Sequence, residues 1–183
     1  NRLDAIVLFL PAIAETIWQN RKAKRVALLD LAFGFAPLAV WEAFSITYYG
    51  FAFPNTYYAK LYTGIPLGEY AGQGLLYFED LAKFDRLTLI GLVAGIVVAL
   101  AQNDRRTRAL GLGLCLHCAY VIRVGGDFMA GRFVANAYLA AIILAARALP
   151  ERTSAAAWTP AAFAVVVGLL APRCPLFTTV DYG

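Results

Sequence analysis

A nine-residue segment, 125–133, holds the side chains whose types and spacing best suit chemistry. Asp127 and Arg132 place a carboxylate and a guanidinium five residues apart, between two apolar runs where charge is costly to hold near lipid. Three glycines permit tight turns and close approach of a ligand, and successive turn N–H groups can bind an anion: Gly125, Gly126 and Gly131. The segment therefore predicts an anion-binding site. The plainer interpretation is a helix–loop–helix turn that carries an ion pair.

A second segment, 48–60, combines aromatic rings with a turn and a cation. Tyrosines at the end of a membrane span mark the bilayer interface, which accounts for most of these rings. It does not account for Pro54-Asn55-Thr56 or for the lysine that follows. Aromatic faces and hydrogen-bonding groups suit a sugar, and a cation suits a phosphate. We therefore expect substrate-binding residues here: Asn55, Tyr57, Tyr58 and Lys60.

The elements that must position these residues are predicted to be membrane helices. The chain has 183 residues, of which 61% are hydrophobic and only 15% charged, against about 25% charged in a usual soluble domain. Its mean hydropathy is +0.63. We predict an all-α membrane protein, a polytopic transmembrane helical bundle forming a single domain over residues 1–183. Its six expected spans are Leu3–Trp18, Val26–Thr47, Leu87–Ala101, Ala109–Val124, Val134–Leu149 and Ala155–Ala171.

Basic residues are concentrated in alternate loops. Nine of the sixteen fall in three short stretches around 20–25, 103–108 and 147–152. With six crossings, the positive-inside rule puts these stretches in the cytoplasm, and both chain ends, 48–86 and 125–133 outside. The net charge of +4 then reports topology and not nucleic-acid binding. Because Asn1 opens directly into a span from outside, we expect an internal or C-terminal fragment of a longer protein.

The longest interval between spans is predicted to contain an amphipathic helix, Leu67 to Arg86, lying in the bilayer interface. One face is polar, with Glu69, Gln73, Asp80 and Lys83, and the opposite face is apolar, with Ala71, Leu75, Phe78 and Ala82. Such a helix would cover a cavity that is laterally open to the bilayer.

Two further groups stand out within the apolar runs. Glu42 lies in a span just below the aromatic segment, and intramembrane carboxylates generally face a bundle interior or a wet cavity. Cys115, His117 and Cys118 resemble part of a zinc site, but a closed site needs four ligands. We interpret them as packing residues around one hydrogen-bonded histidine. No metal site is indicated, and dependence on a divalent cation is left open.

Taken together, the two segments resemble a known family. Tyr-Tyr-Gly-x-x-x-Pro-Asn-Thr-Tyr-Tyr-Ala-Lys at 48–60, followed by Gly-Gly-Asp-Phe-Met-x-Gly-Arg-Phe at 125–133, is similar to polytopic bacterial glycosyltransferases of GT-C architecture. The resemblance is to the terminal β-(1→2)-arabinofuranosyltransferases of cell-wall arabinan and their relatives. It covers roughly residues 26–133 and departs from the pattern at Ala130, where proline is expected, and at Asn136-Ala137.

The resemblance implies an enzyme in the bacterial plasma membrane. It would move a sugar, such as arabinofuranose, from a polyprenyl-phosphate donor to a cell-envelope glycan on the outer face. Family members usually carry their catalytic acids in the first outer loop, so the general base is expected upstream of this chain.

Each candidate residue then has an expected part in that reaction. The phosphate would contact cations such as Lys60, Arg123 and Arg132, and the carboxylates available for catalysis are Asp127 and Glu42. Asp127 would orient the sugar or position Arg132, or else only cap its turn. Two other functions stay open: a transporter or flippase half whose charged residues line a substrate path, and a non-catalytic membrane subunit.

Overall fold

The computed structural model describes residues 3–53, 58, 64–127, 131–148 and 155–170. Within these ranges the chain is helical. Short 3-10 turns, Leu3–Ala5 and Arg21–Ala23, precede the first two helices. The α-helices are α1 (Ile6–Gln19), α2 (Lys24–Tyr49), α3 (Leu67–Phe84), α4 (Arg86–Ala101), α5 (Arg105–Arg123), α6 (Ala135–Arg147) and α7 (Ala155–Leu169).

The helices coincide with the apolar runs read from the sequence, and turn residues set several of their ends. Gly50, at φ +73°, ends α2 in the left-handed conformation that glycine adopts without strain. Asp104 begins α5 by accepting a hydrogen bond from the Thr107 N–H at 2.9 Å. Asp85 does the same for α4, accepting from the Thr88 N–H at 3.2 Å.

Helix α5 lies at the centre of the packing and contacts α1, α3, α4 and α6. Small residues let the backbones approach closely, as they do in helix pairs within membranes. Gly113 faces the backbone of Leu8 in α1, and Gly74 of α3 faces the backbone of Ile122. A side chain at either glycine would force these helices apart. The core around them contains Leu81, Leu92, Leu114, Val121 and Val134, among other buried residues.

The prediction of six membrane crossings is wrong. Among the described residues, a single helix, Leu28–Tyr49 within α2, is long and apolar enough to cross a bilayer by itself. A second candidate exists if α3 and α4, which meet at a bend of 111°, are taken as one broken span. The chain is therefore helical as predicted, but it is not a bundle of about six spans.

The physical reason is helix length and charge. At 1.5 Å per residue, the 14 residues of α1 extend roughly 21 Å and the 13 residues of α6 roughly 20 Å, short of a hydrocarbon core of about 30 Å. Helix α5 has 19 residues, but its sequence includes Arg105, Arg106, Arg108 and Arg123. The assignment of both chain ends to the outside depended on six crossings and loses its basis.

Much of the described surface is apolar. Phe33 and Val40 of α2 are 76% and 70% exposed, and none of the candidate span in that helix is buried by the rest of the chain. An apolar groove of about 680 Å³ separates α1 from α2 beyond their shared turn. Contiguous apolar surface on this scale needs lipid or a partner to cover it.

The helix predicted over Leu67–Arg86 is confirmed as α3, two residues shorter at its end. Its predicted apolar face, expected to lie against the bilayer, stays a prediction. The side that packs against the core presents Gly74, Tyr77 and Leu81, whereas Leu75 and Ala82, assigned to the apolar face, are exposed. Gly74 faces the backbone of Ile122 in α5, where a side chain would clash, so this side of α3 lies against α5.

Candidate functional site

The candidate site is built on the α5–α6 loop, residues 124–134, whose described residues are 124–127 and 131–134. Two glycines turn the chain at the end of α5. The Gly125 N–H donates to the Ile122 carbonyl at 3.2 Å, and the Gly126 N–H donates to the Val121 carbonyl at 3.0 Å. These bonds form a Schellman motif with Gly125 and Gly126 at φ +80° and +66°. The sharp helix end follows directly from the glycine pair.

The same bonds change the interpretation of the loop as an anion-binding site. The N–H groups of Gly125 and Gly126 were expected to be available to a ligand, but both already donate to helix carbonyls. They satisfy the end of α5 and do not point to an anion. At these two glycines, anion recognition by backbone N–H groups is therefore not available.

Asp127 and Arg132 are brought together by the loop. Arg132 Nη1 lies 3.3 Å from Asp127 Oδ2, so the predicted carboxylate–guanidinium pair is present. The two side chains differ in exposure: 13% for Asp127 and 55% for Arg132. Gly131, at φ +77°, turns the backbone just before Arg132. The aspartate is thus largely buried in the loop, whereas more than half of the arginine side chain is exposed.

Tyr77 of α3 contacts the loop through both its hydroxyl group and its ring. Its hydroxyl oxygen accepts a hydrogen bond from the Phe133 N–H at 3.2 Å, and its ring is buried. A Cβ at Gly126 would lie only 2.7 Å from the Cβ of Tyr77, so the loop rests directly on this ring. Tyr77 is also close enough to Asp127 for the two groups to interact electrostatically.

His117 of α5 contacts the backbone carbonyl of the same loop residue, Phe133. The ring is fully buried, and its Nε2 lies 3.0 Å from the Phe133 carbonyl oxygen. A carbonyl only accepts, so Nε2 carries the hydrogen in this arrangement. The predicted hydrogen-bonded histidine is confirmed. Across the described ranges, no three His, Cys, Asp or Glu side chains cluster in a way that could hold a metal ion.

Asp85 is a second carboxylate near the loop, and the sequence analysis missed it. It stands at the corner between α3 and α4, where Oδ1 caps α4. Its Oδ2 lies 3.8 Å from the position a Cβ would take at Gly131. The signal was an aspartate directly before an apolar run, which indicates a helix start. Its proximity to the loop comes from the 111° bend between the helices.

The remaining predicted residues are distributed differently. Arg123 is exposed on the last turn of α5, immediately before the loop. Glu42 is partly buried on α2, whose main described helix contact is with α1, so the structure does not bring it to Asp127. Tyr58 is partly buried, with its ring centroid 5.7 Å from that of Phe51. Three others lie outside the described residues: Asn55, Tyr57 and Lys60.

This arrangement suits an anionic ligand that also carries hydroxyl groups. A guanidinium can present several N–H donors to phosphate oxygens, and Arg132 is more than half exposed. A carboxylate accepts hydrogen bonds from hydroxyl groups, and Asp127 lies directly beside that arginine. The loop therefore places a hydrogen-bond donor that suits an anion beside an acceptor that suits a hydroxyl group.

Comparison with known proteins adds no relative to this description. No protein-family model, curated protein or solved structure matches the chain. The resemblance to GT-C glycosyltransferases therefore stays a prediction, carried by the two sequence segments at 48–60 and 125–133.

Proposed function

We propose that this chain belongs to a membrane glycosyltransferase of the bacterial plasma membrane. The enzyme takes a sugar, in our interpretation arabinofuranose, from a polyprenyl-phosphate donor and transfers it to a cell-envelope glycan on the outer face. The observation that carries the proposal is the pairing of a mostly exposed Arg132 with a mostly buried Asp127 at 3.3 Å on a glycine-determined loop.

The two side chains have separate parts in the proposed reaction. Arg132 binds the donor phosphate through charge-assisted hydrogen bonds, which are shorter and stronger than neutral ones. Asp127 accepts hydrogen bonds from the sugar and keeps the guanidinium oriented. In the transfer, the bond between the anomeric carbon and the phosphate oxygen breaks, a bond to the acceptor hydroxyl oxygen forms, and the hydroxyl proton passes to a base. We assign Asp127 to orientation and not to that proton transfer.

The apolar surface of the chain supports a donor that arrives through the bilayer. Helix α2 offers one membrane-length apolar segment, and its exposed side chains are suited to contact with acyl chains. A polyprenyl chain dissolves in the same hydrocarbon layer. Its phosphate would then reach a cation at the interface without leaving the membrane.

Five residues of the sequence-based site extend the proposal. The cations Lys60 and Arg123 would share the phosphate with Arg132. The amide of Asn55 and the rings of Tyr57 and Tyr58 would contact the sugar or the acceptor. Glu42 is kept as a second carboxylate, on α2 and away from the loop.

The experiment is a donor-binding titration on the whole polypeptide in lipid nanodiscs. The probe is a short-chain polyprenyl-phosphate arabinofuranose, and polyprenyl phosphate without the sugar is the second ligand. Loss of a hydrogen bond to a charged group costs about 1.5–3 kcal/mol, so Arg132→Ala should weaken both ligands roughly tenfold or more. Arg147→Ala, which removes an exposed arginine from the end of α6, is the matched control.

The outcomes separate the alternatives. Donor binding that depends on Arg132, together with sugar transfer by the full-length protein, supports the glycosyltransferase. Movement of the lipid-linked sugar across the bilayer without transfer would indicate a flippase. Unchanged donor affinity in a folded Arg132→Ala variant would remove Arg132 from the site and leave a structural ion pair.

A further inference from the structure

A second cleft lies at the opposite end of α5 from Asp127. It has a volume of about 730 Å³ and is bounded by α1, the end of α4 and the first turns of α5. Part of its lining is apolar and is named the floor: Pro11, Ala14 and Leu112. An aromatic ring and two cations also line it and are named the mouth: Trp18, Arg105 and Arg108.

The two arginines point to an anionic ligand. Arg105 and Arg108 are three residues apart on α5, so their side chains project from one face of the helix, and both are exposed. No described carboxylate forms an ion pair with either of them. Because two like charges share one face of the helix, an anion bound between them would reduce their repulsion.

One carboxylate, Glu15, also lines the cleft, and its neighbours define how it is held. Glu15 Oε1 accepts a hydrogen bond from Gln19 Nε2 at 2.9 Å. Gln19 Oε1 in turn accepts from Arg106 Nε at 3.1 Å. This chain of bonds ties α1 to α5 along the edge of the cleft. It engages the glutamate with Gln19.

Trp18 indicates that the mouth of the cleft lies where apolar and polar surroundings meet. Its ring is 61% exposed, and the Arg21 guanidinium carbon lies 5.3 Å from the ring centroid. Exposed tryptophan beside cations is typical of the lipid headgroup level. A ligand that fits here has an apolar part for the floor and an anionic part for the mouth.

We propose that this cleft binds an anionic phospholipid. Its phosphate contacts Arg105 and Arg108, and an acyl chain lies along Pro11, Ala14 and Leu112. Basic pockets between helices near the membrane surface bind anionic headgroups in this way. The proposal does not depend on the glycosyltransferase function, because none of its residues belongs to the α5–α6 loop.

The test is native mass spectrometry of the full chain in a neutral detergent. Phosphatidylglycerol should bind at least tenfold more tightly than phosphatidylcholine with the same acyl chains. The double variant Arg105→Gln/Arg108→Gln should lose that preference. The control Arg86→Gln/Arg147→Gln removes two arginines that do not line the cleft and should keep it. Equal binding of the two lipids, or a preference that survives in Arg105→Gln/Arg108→Gln, would overturn the proposal.

Two further measurements test the charge and the acyl chain separately. Arg105→Lys/Arg108→Lys keeps both charges but removes the planar guanidinium fork, so it should retain an intermediate preference even if the glutamine variant fails to fold. Ala14→Trp should fill the floor and weaken phosphatidylglycerol about tenfold. Soluble glycerol 3-phosphate should bind at least a hundredfold more weakly than the lipid. If it binds as tightly as the lipid, the cleft is a site for a free phosphate compound, and the lipid proposal is wrong.

Discussion

The Tyr77 hydroxyl accepts a hydrogen bond from the backbone N–H of Phe133 at 3.2 Å, across 56 residues of sequence. This bond joins α3 to the loop that carries Asp127 and Arg132. His117 binds the carbonyl of the same residue at 3.0 Å, so both polar backbone atoms of Phe133 are satisfied by side chains from two other helices. The geometry of the ion pair therefore depends on residues far from it in sequence.

Removal of the Tyr77 hydroxyl should destabilise the protein without creating a cavity in the core. Tyr77→Phe keeps the ring but leaves the Phe133 N–H without this partner, which costs about 1–3 kcal/mol in the free energy of unfolding. Urea denaturation followed by circular dichroism measures it. Tyr48→Phe, at a largely exposed tyrosine, should change stability by less than about 0.5 kcal/mol. Equal effects at the two positions would contradict the role of the bond.

Gly126→Ala should be among the more damaging small substitutions. The left-handed φ of +66° costs a non-glycine residue about 1–2 kcal/mol, and the new Cβ would meet Tyr77 at 2.7 Å. The matched control is Gly72→Ala, in the interior of α3 with no atom within 4 Å of the added Cβ. That change should stabilise the helix by about 0.5–1 kcal/mol. Opposite signs for the two substitutions in one thermal-unfolding series are the expected result.

Asp127→Asn separates a role in the site from a role in the turn. Asparagine preserves the shape and the turn-forming ability of aspartate but removes the charge. If Asp127 orients the sugar and Arg132, turnover of the full-length enzyme should fall at least tenfold while thermal stability stays near that of the wild type. Asp80→Asn, at an exposed position on α3, is the control. Full activity in Asp127→Asn would remove this carboxylate from the mechanism.

The cap of α5 should make stability depend on pH in the acid range. The side-chain hydroxyl of Thr107, followed by its backbone N–H, lowers the pKa of Asp104 below its ordinary value of 3.8. Since the folded-state pKa is depressed, the stabilisation is complete above 3.8 and is lost as pH falls through the lower folded value. Unfolding midpoints measured from about pH 6 downward should show this loss in the wild type. In Asp104→Asn that part of the pH dependence should be absent; an unchanged acid profile would contradict the capping role.

Helix α2 should cross a membrane once. In a background with the native cysteines replaced, Lys22→Cys places one thiol just before the start of the helix and Phe51→Cys places one just after its end. A membrane-impermeant maleimide added to intact cells should label only one of the two. Labelling of both sites from outside would show that Leu28–Tyr49 does not span, despite its length and apolar character.

The sequence by itself determined where the helices lie and which loop carries chemistry. The apolar run Ala109–Val124 predicts α5 to within four residues at its start and one at its end, because hydrophobic periodicity and the glycine that ends a helix act locally. The contact between Asp127 and Arg132 was equally local, since the two residues are five positions apart, with the glycine turn at Gly131 between them.

Only the tertiary structure decided the rest. Apolar composition does not distinguish a helix that crosses a bilayer from a shorter one that packs within the chain, and the lengths of α1 and α6 overturned the six-span prediction. The binding of Phe133 by Tyr77 and His117, and the approach of Asp85 to Gly131, join elements that no local pattern relates. These contacts depend on how whole helices pack against one another. The sequence of a single helix therefore does not predict them.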